Sequence, residues 1–130
     1  MYTIALVEDE AILRELIQLE MEKKGFKIYA ASNGEEGLAL VKEKKPDLLL
    51  LDLLMPIMSG YEVLHALRKI EEFKKLPCIV ISNSGQVDDL NRAYAYGAND
   101  VLIKADFNPS QVIDKVQKLL DSKNEKPQAE

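Results

Sequence analysis

The sequence predicts an α/β protein: a doubly wound, five-stranded parallel sheet with five helices in a three-layer sandwich. Three observations predict it. Short apolar runs alternate with segments of helical periodicity along the 130-residue chain, the pattern of repeated βαβ units. Two of those runs, Leu48–Leu51 (LLLL) and Cys78–Ile81 (CIVI), are continuous rather than alternating, as strands buried on both faces are. A hydrophobic fraction of 47% suits one domain of this length with its own core.

The elements follow in order. The first strand is Thr3–Val7 (TIALV). The helix Ala11–Lys24 then places Leu13, Leu16, Ile17 and Met21 at helical spacing and ends at Gly25. Phe26–Ala31 (FKIYAA) is the second strand, and the helix Gly34–Lys44 after it stops before Pro46. The third strand, Leu48–Leu51, leads through a loop to the helix Tyr61–Phe73, which presents Val63, Leu64, Leu67 and Ile70. After the fourth strand, Cys78–Ile81, the helix Val87–Tyr96 is closed by Gly97. The fifth strand is Val101–Ile103. The last helix opens at Asn108-Pro109, a capping residue followed by proline in the first turn, with Val112, Ile113, Val116, Leu119 and Leu120 as its core face. Residues 1–121 form one domain in this reading, and 122–130 (SKNEKPQAE) a polar tail or the start of a linker. There is no internal repeat.

Bulk properties narrow the function. A net charge of -5 argues against general affinity for nucleic acid or an anionic membrane. No apolar run approaches the roughly 20 residues that span a bilayer, and the N-terminus lacks the charged leader and cleavage site of a signal peptide. The one cysteine, Cys78, permits no internal disulfide and fits a reducing compartment. The expectation is a soluble, cytoplasmic domain.

Chemistry is expected where the strands end. In an open parallel sheet the carboxyl ends share one edge, and ligands bind beyond it. The first strand runs into Glu8-Asp9, the third into Asp52, the fourth into Ser82-Asn83 and the fifth into Lys104. Three carboxylates, a hydroxyl and an ammonium should therefore meet, with Asp52 buried at its base by the leucines before it. Clustered carboxylates repel one another unless a cation joins them, and an all-oxygen acidic site suits Mg²⁺. A carboxylate so placed can act as a nucleophile and form an aspartyl phosphate. Phosphoryl transfer needs mainly positioning and neutralised equatorial oxygens, and this inventory contains groups for both.

The acid pair Glu8-Asp9, the segment DLLMPIMSG (Asp52–Gly60), Ser82 after PCIVI and Lys104 after GANDVLI occur in the order seen in one family. The chain resembles the response-regulator receiver domain, of flavodoxin-like fold, from about Tyr2 to Leu120. The resemblance implies a signalling switch of a two-component system or phosphorelay rather than an enzyme, one that assists its own phosphorylation and dephosphorylation. Asp52 would accept a phosphoryl group from a sensor histidine kinase or phosphotransfer protein. Mg²⁺ would be held by Asp9, Asp52, the backbone carbonyl of Leu54 and Glu8, the last directly or through water. Lys104 would pair with Asp52 at rest and with a phosphoryl oxygen afterwards. Ser82 would be the switch hydroxyl, and Pro56 and Gly60 would shape the loop carrying the carbonyl ligand. The family analogy also implies a protein partner on the face of the fourth helix, fifth strand and fifth helix, no direct nucleic-acid contact, and a monomer or weak phosphorylation-dependent dimer.

Three residues depart from the family pattern. Ala105 stands where proline usually follows the lysine, so the Lys104-Ala105 peptide is expected to be trans. Asn83 is larger than the usual residue after the switch hydroxyl. Val101 occupies the place of an aromatic that swings with that hydroxyl, so coupling must run through Ser82, the loop after it, and the helix near Tyr94 and Tyr96.

Blander readings cover the remaining residues. His65 with Glu62 makes no metal set, Cys78 reads as a small buried hydrophobe, and Met21 as core filling. Met55 and Met58 belong to the loop beside Asp52, and Lys42–Lys45 to a solvated helix end. A pure interaction module with an unused pocket is the competing class, but such chains usually lose one of the site residues kept here. An aspartate-nucleophile phosphatase would need a second aspartate where Leu54 stands. A flavin site is disfavoured by the acidic loop after the first strand.

Overall fold

A computed structural model describes residues 1–124 of the chain. Five strands, β1 (Thr3–Val7), β2 (Lys27–Ala31), β3 (Leu48–Asp52), β4 (Cys78–Ser82) and β5 (Asp100–Ile103), form one sheet in the order β2-β1-β3-β4-β5. Every neighbouring pair is parallel. The helices between and after them are α1 (Ala11–Lys23), α2 (Gly34–Lys44), α3 (Gly60–Arg68), α4 (Val87–Ala95) and α5 (Pro109–Asn124). The strand order reverses between β1 and β3, which opens a crevice at the carboxyl edge where these two strands diverge.

β3 explains the continuous leucine run. Leu49 and Leu51 pack into the core beneath α2, α3 and α4, whereas Leu48 and Leu50 pack into the core beneath α1 and α5. All four are completely buried. Each contributes about 1.5–3 kcal/mol by leaving water, enough together to hold the strand in place with a carboxylate at its end.

Besides one-residue shifts at the ends of α1, β2, α3, α4 and β5, the observed elements differ from expectation in the extent of β3, β4, α3 and α5 and in the facing of α1. β3 and β4 each run one residue further, so Asp52 and Ser82 are themselves the last strand residues. The expected helix Tyr61–Phe73 stops at Arg68, and Glu71–Phe73 forms a separate 3₁₀ turn. Ile70 is extended there (φ -95°, ψ 123°), which returns Phe73 to the core. Arg68 fixes the break: Nη1 donates to Phe73 O at 2.8 Å and Nη2 to Gly97 O at 2.6 Å. Positions 70 and 73 suit helical spacing equally well, so periodicity alone does not reveal this break.

Leu16 is not core. It is 46% exposed, and with Ile12 (76%) and Leu19 (55%) it makes an apolar stripe on the outer side of α1, while Ile17 and Met21 face inward. Finally, α5 continues through Asn124, so Ser122–Asn124 of the expected tail are helical; its residues 125–130 lie outside the described residues. Among the described residues, no helix is long and apolar enough to cross a membrane. No peptide bond among them is cis, Lys104-Ala105 included.

Candidate functional site

Asp52 is delivered to the crevice by β3 and held there from behind. The start of α3 packs directly on its backbone: Gly60 N–H donates to Leu53 O at 2.7 Å. A Cβ at position 60 would run into the Asp52 carbonyl oxygen and the Leu53 Cα, so only glycine permits this approach. Ser59 and Glu62 close a capping box around the same turn, with bonds of 3.2 and 3.0 Å. That box gives Glu62 a structural role. Asp52 is more deeply buried than expected: the residue is only 2% exposed rather than covered at its base alone.

The loop between Asp52 and Gly60 contains a strained turn. Ile57 has φ 73°, and Met58 N–H donates to Pro56 O at 2.7 Å across it. This is a γ-turn with a left-handed centre, a rare geometry that a β-branched residue adopts only under strain. Ile57→Gly should therefore stabilise the chain by about 1 kcal/mol. The check is a urea melt, with a higher midpoint at unchanged slope; a midpoint that stays or falls would mean the turn holds no strain.

Glu8, Asp9 and Asp52 each place a carboxylate oxygen within 4.8 Å of the others. Glu8 is completely buried. Its Oε2 accepts from Glu10 N–H at 2.9 Å and from Lys104 Nζ at 3.2 Å. Its buried Oε1, 3.1 Å from Nζ, receives no hydrogen bond. Burial pushes the Glu8 carboxyl above the usual carboxylate range against the pull of the Glu10 amide and Lys104. Burial, then Asp9 and Glu8, push Asp52 up to about 8, with Lys104 opposing.

Lys104 lies across the pocket but is not devoted to Asp52. Its Nζ sits 3.5 Å from Asp52 Oδ2 and only 2.5 Å from Glu10 Oε1. Burial would lower this ammonium, yet Glu10, Asp52 and Glu8 together raise it, so it stays charged. Glu10 is the site residue that sequence reasoning missed. The available signal was a third acid in the run EDE (Glu8–Glu10), but no strand-end rule distinguishes it from a surface residue.

Ser82 is buried beside these groups, although both of its hydrogen bonds go to Ser84. Leu54 is 64% exposed in the loop, so its side chain supplies no polar group and only its backbone has donors to offer. Asn83 is exposed. The structure thus gathers Glu8, Asp9, Asp52 and Lys104 tightly, with Ser82 at the end of the neighbouring strand.

The other residues weighed from the sequence lie elsewhere. His65 is exposed and edge-on to Tyr96 at 5.6 Å. Cys78 is fully buried and its thiol is pushed up to about 12 by burial, which makes it unreactive. Tyr94 is half-exposed, with its hydroxyl 3.4 Å from Asp100, whereas Tyr96 packs on Tyr61.

Three hard-oxygen carboxylates and one unbonded buried oxygen suit a divalent cation that prefers oxygen. A single ammonium does not neutralise them. The arrangement brings a carboxyl group, a place for a cation and a lysine to one rim.

The chain is similar to known proteins along most of its length. The family profile described as the response regulator receiver domain matches residues 4–117. A probable transcriptional regulator, ycf29 of Porphyra purpurea, is 35% identical over 92% of this chain and 56% of its own length. The phosphate regulon transcriptional regulatory protein PhoB of Pseudomonas aeruginosa is 32% identical over 91% of this chain and 51% of its own. The chain thus spans about half the length of the curated relatives it matches. The chemotaxis protein CheY4 of Vibrio cholerae superposes with a TM-score of 0.85 at 25% identity, covering 91% of this chain and 98% of that one.

Proposed function

The chain belongs to the response regulator receiver domain family, and from that premise we propose that Asp52 is its phosphoacceptor in a two-component pathway. The observation that carries the reading is the joint placement of Glu8, Asp9, Asp52 and Lys104 at one sheet edge. The donor is a phosphohistidine on a sensor kinase or phosphotransfer protein. An Asp52 oxygen forms the new bond to phosphorus as the bond to the imidazole nitrogen breaks. The nucleophile must be ionised, which the acidic, buried pocket opposes in the resting chain.

Glu8, Asp9, Asp52 and the carbonyl of Leu54 would hold Mg²⁺. Bound there, the ion would offset the carboxylate charges and the negative phosphoryl oxygens. Lys104 holds a positive charge at the opposite rim and is within 3.5 Å of the acceptor oxygen, so a short movement away from Glu10 would bring it to a phosphoryl oxygen. Ser82 supplies a hydroxyl donor at the end of β4. Leucines 48–51 and Gly60 keep the acceptor still.

The test is direct. Intact mass should rise by one phosphoryl group when the chain is incubated with Mg²⁺ and a small phosphodonor, and Asp52→Asn should abolish the gain. A wild-type chain that gains nothing from any donor or histidine kinase would end this reading and leave the interaction module with an unused pocket.

A protein donor must also dock beside a carboxylate that is almost inaccessible. The apolar stripe of Ile12, Leu16 and Leu19 on α1, with Leu54 and Ile57 on the loop after β3, supports a docking area flanking the pocket. Leu16→Asp should slow transfer from the cognate protein donor by roughly tenfold or more, the range of a lost apolar contact at an interface. Uptake from a small donor should be unchanged. Equal slowing with both donors would place the defect in the pocket instead.

A further inference from the structure

Both hydrogen bonds of the Ser82 hydroxyl lead away from the pocket: Oγ donates to Ser84 O at 3.2 Å and accepts from Ser84 N–H at 3.0 Å. Ser84 commits its own hydroxyl to α4, donating to Asp89 Oδ2 at 2.6 Å and accepting from Gln86 N–H at 3.1 Å. Gln86 is the N-cap residue of α4 and its side chain makes no capping bond, so Ser84 caps the helix from outside it. The Asp89 carbonyl accepts from the Tyr61 hydroxyl on α3 at 3.3 Å. Arg92 lies 3.9 Å over the Tyr61 ring. α4 buries only Ala93, so polar ties of this kind, rather than a wide apolar face, hold it in place.

We propose that Ser84 is a positioning residue that makes recruitment of the Ser82 hydroxyl to the phosphoryl group inseparable from release of the first turn of α4. The proposal rests on the reading of Asp52 as phosphoacceptor. A serine hydroxyl has one proton. Once Ser82 donates it to a phosphoryl oxygen, the bond to Ser84 O is lost, in exchange for a charge-assisted bond of roughly twice the strength. The Ser84 amide, carbonyl and hydroxyl belong to one residue, so its displacement also disturbs Asp89 and Gln86. The link needs no rotating ring, and position 101 is valine in this chain.

The experiment compares wild type, Ser84→Ala, Ser84→Thr and Asp89→Ala by phosphoryl uptake from a small donor with Mg²⁺ and by amide NMR of α4 with and without phosphorylation. In wild type, phosphorylation should shift the amides of residues 84–92. Ser84→Ala and Asp89→Ala should already show part of that shift at rest and take up the phosphoryl group faster, by roughly three- to tenfold, the size of one net hydrogen bond. Ser84→Thr, which keeps the hydroxyl, should behave as wild type; a merely structural role for position 84 would not produce that rescue together with faster uptake in the alanine variant. If wild type gains the phosphoryl group while Ser84→Ala matches it in rate and in α4 response, the coupling is wrong and the reading of Asp52 survives. If wild type never gains it, the reading fails and the coupling falls with it.

Discussion

Asp52→Asn should raise the thermal midpoint of the metal-free chain, and the gain should grow as pH rises from about 4 to about 8. Burial and the neighbouring Asp9 and Glu8 place the Asp52 carboxyl at about 8, whereas an unfolded chain ionises it near the ordinary 3.8. Between those two values the native state binds the extra proton, so stability falls as pH rises through the window. Below it both states are protonated and the effect vanishes; above it the whole cost is present. Glu8, raised in the same direction, adds to the slope. Lys104 is raised as well, but as a cation it contributes stability, which is lost only at alkaline pH, above the window.

At pH 8 the relief in the asparagine variant should be roughly 2–5 kcal/mol, or on the order of 5–15 °C in midpoint. Differential scanning calorimetry in a chelator at several pH values would measure it. A wild-type midpoint that is flat with pH would remove the basis for the expectation. Millimolar Mg²⁺ should restore wild-type stability at high pH by mass action, and should do less for the variant, which has lost a ligand.

Gly60→Ala should carry the second large effect, on stability and on phosphoryl uptake together. In a helix's first turn alanine would ordinarily help by up to about 1 kcal/mol. Here the added methyl meets backbone atoms of Asp52 and Leu53, which cannot rotate away as a flexible side chain would. The expected net loss is about 2–4 kcal/mol. Relieving the clash moves either α3 or the end of β3, and a displacement of about 1 Å at a nucleophile can cost on the order of 100-fold in rate. Ser59→Ala is the control: it removes the cap from the same turn, costs about 1 kcal/mol, and should leave uptake nearly intact. Denaturant melts and intact-mass time courses separate the two. A Gly60→Ala chain as stable and as fast as wild type would show that α3 can retreat without moving Asp52.

The strand-end residues were legible because a parallel sheet converts linear order into proximity. The Glu8-Asp9 pair, Asp52 and Lys104 are far apart in sequence, yet each lies at the carboxyl end of a strand, and all strands point the same way. Glu10 was not legible, since its role depends on where a long lysine side chain comes to rest, and that is a balance among three acids at short range. The break after Arg68 was hidden for a similar reason. Two carbonyls from distant turns, Phe73 and Gly97, bind one guanidinium, and no local pattern encodes that meeting.

By itself the sequence determined the fold and, Glu10 aside, the composition of the pocket. Hydrophobic periodicity selects strand or helix, continuous runs mark the central strands, and right-handed βαβ connections leave few ways to assemble them. Tertiary structure alone decided the charge state and the connections of the pocket. Only the packed fold withdraws Asp52 and Glu8 almost wholly from water, brings Lys104 between Glu8, Glu10 and Asp52, and turns Ser82 toward Ser84. Burial and distances of a few ångströms set those properties, and neither is a local function of the residues that carry them.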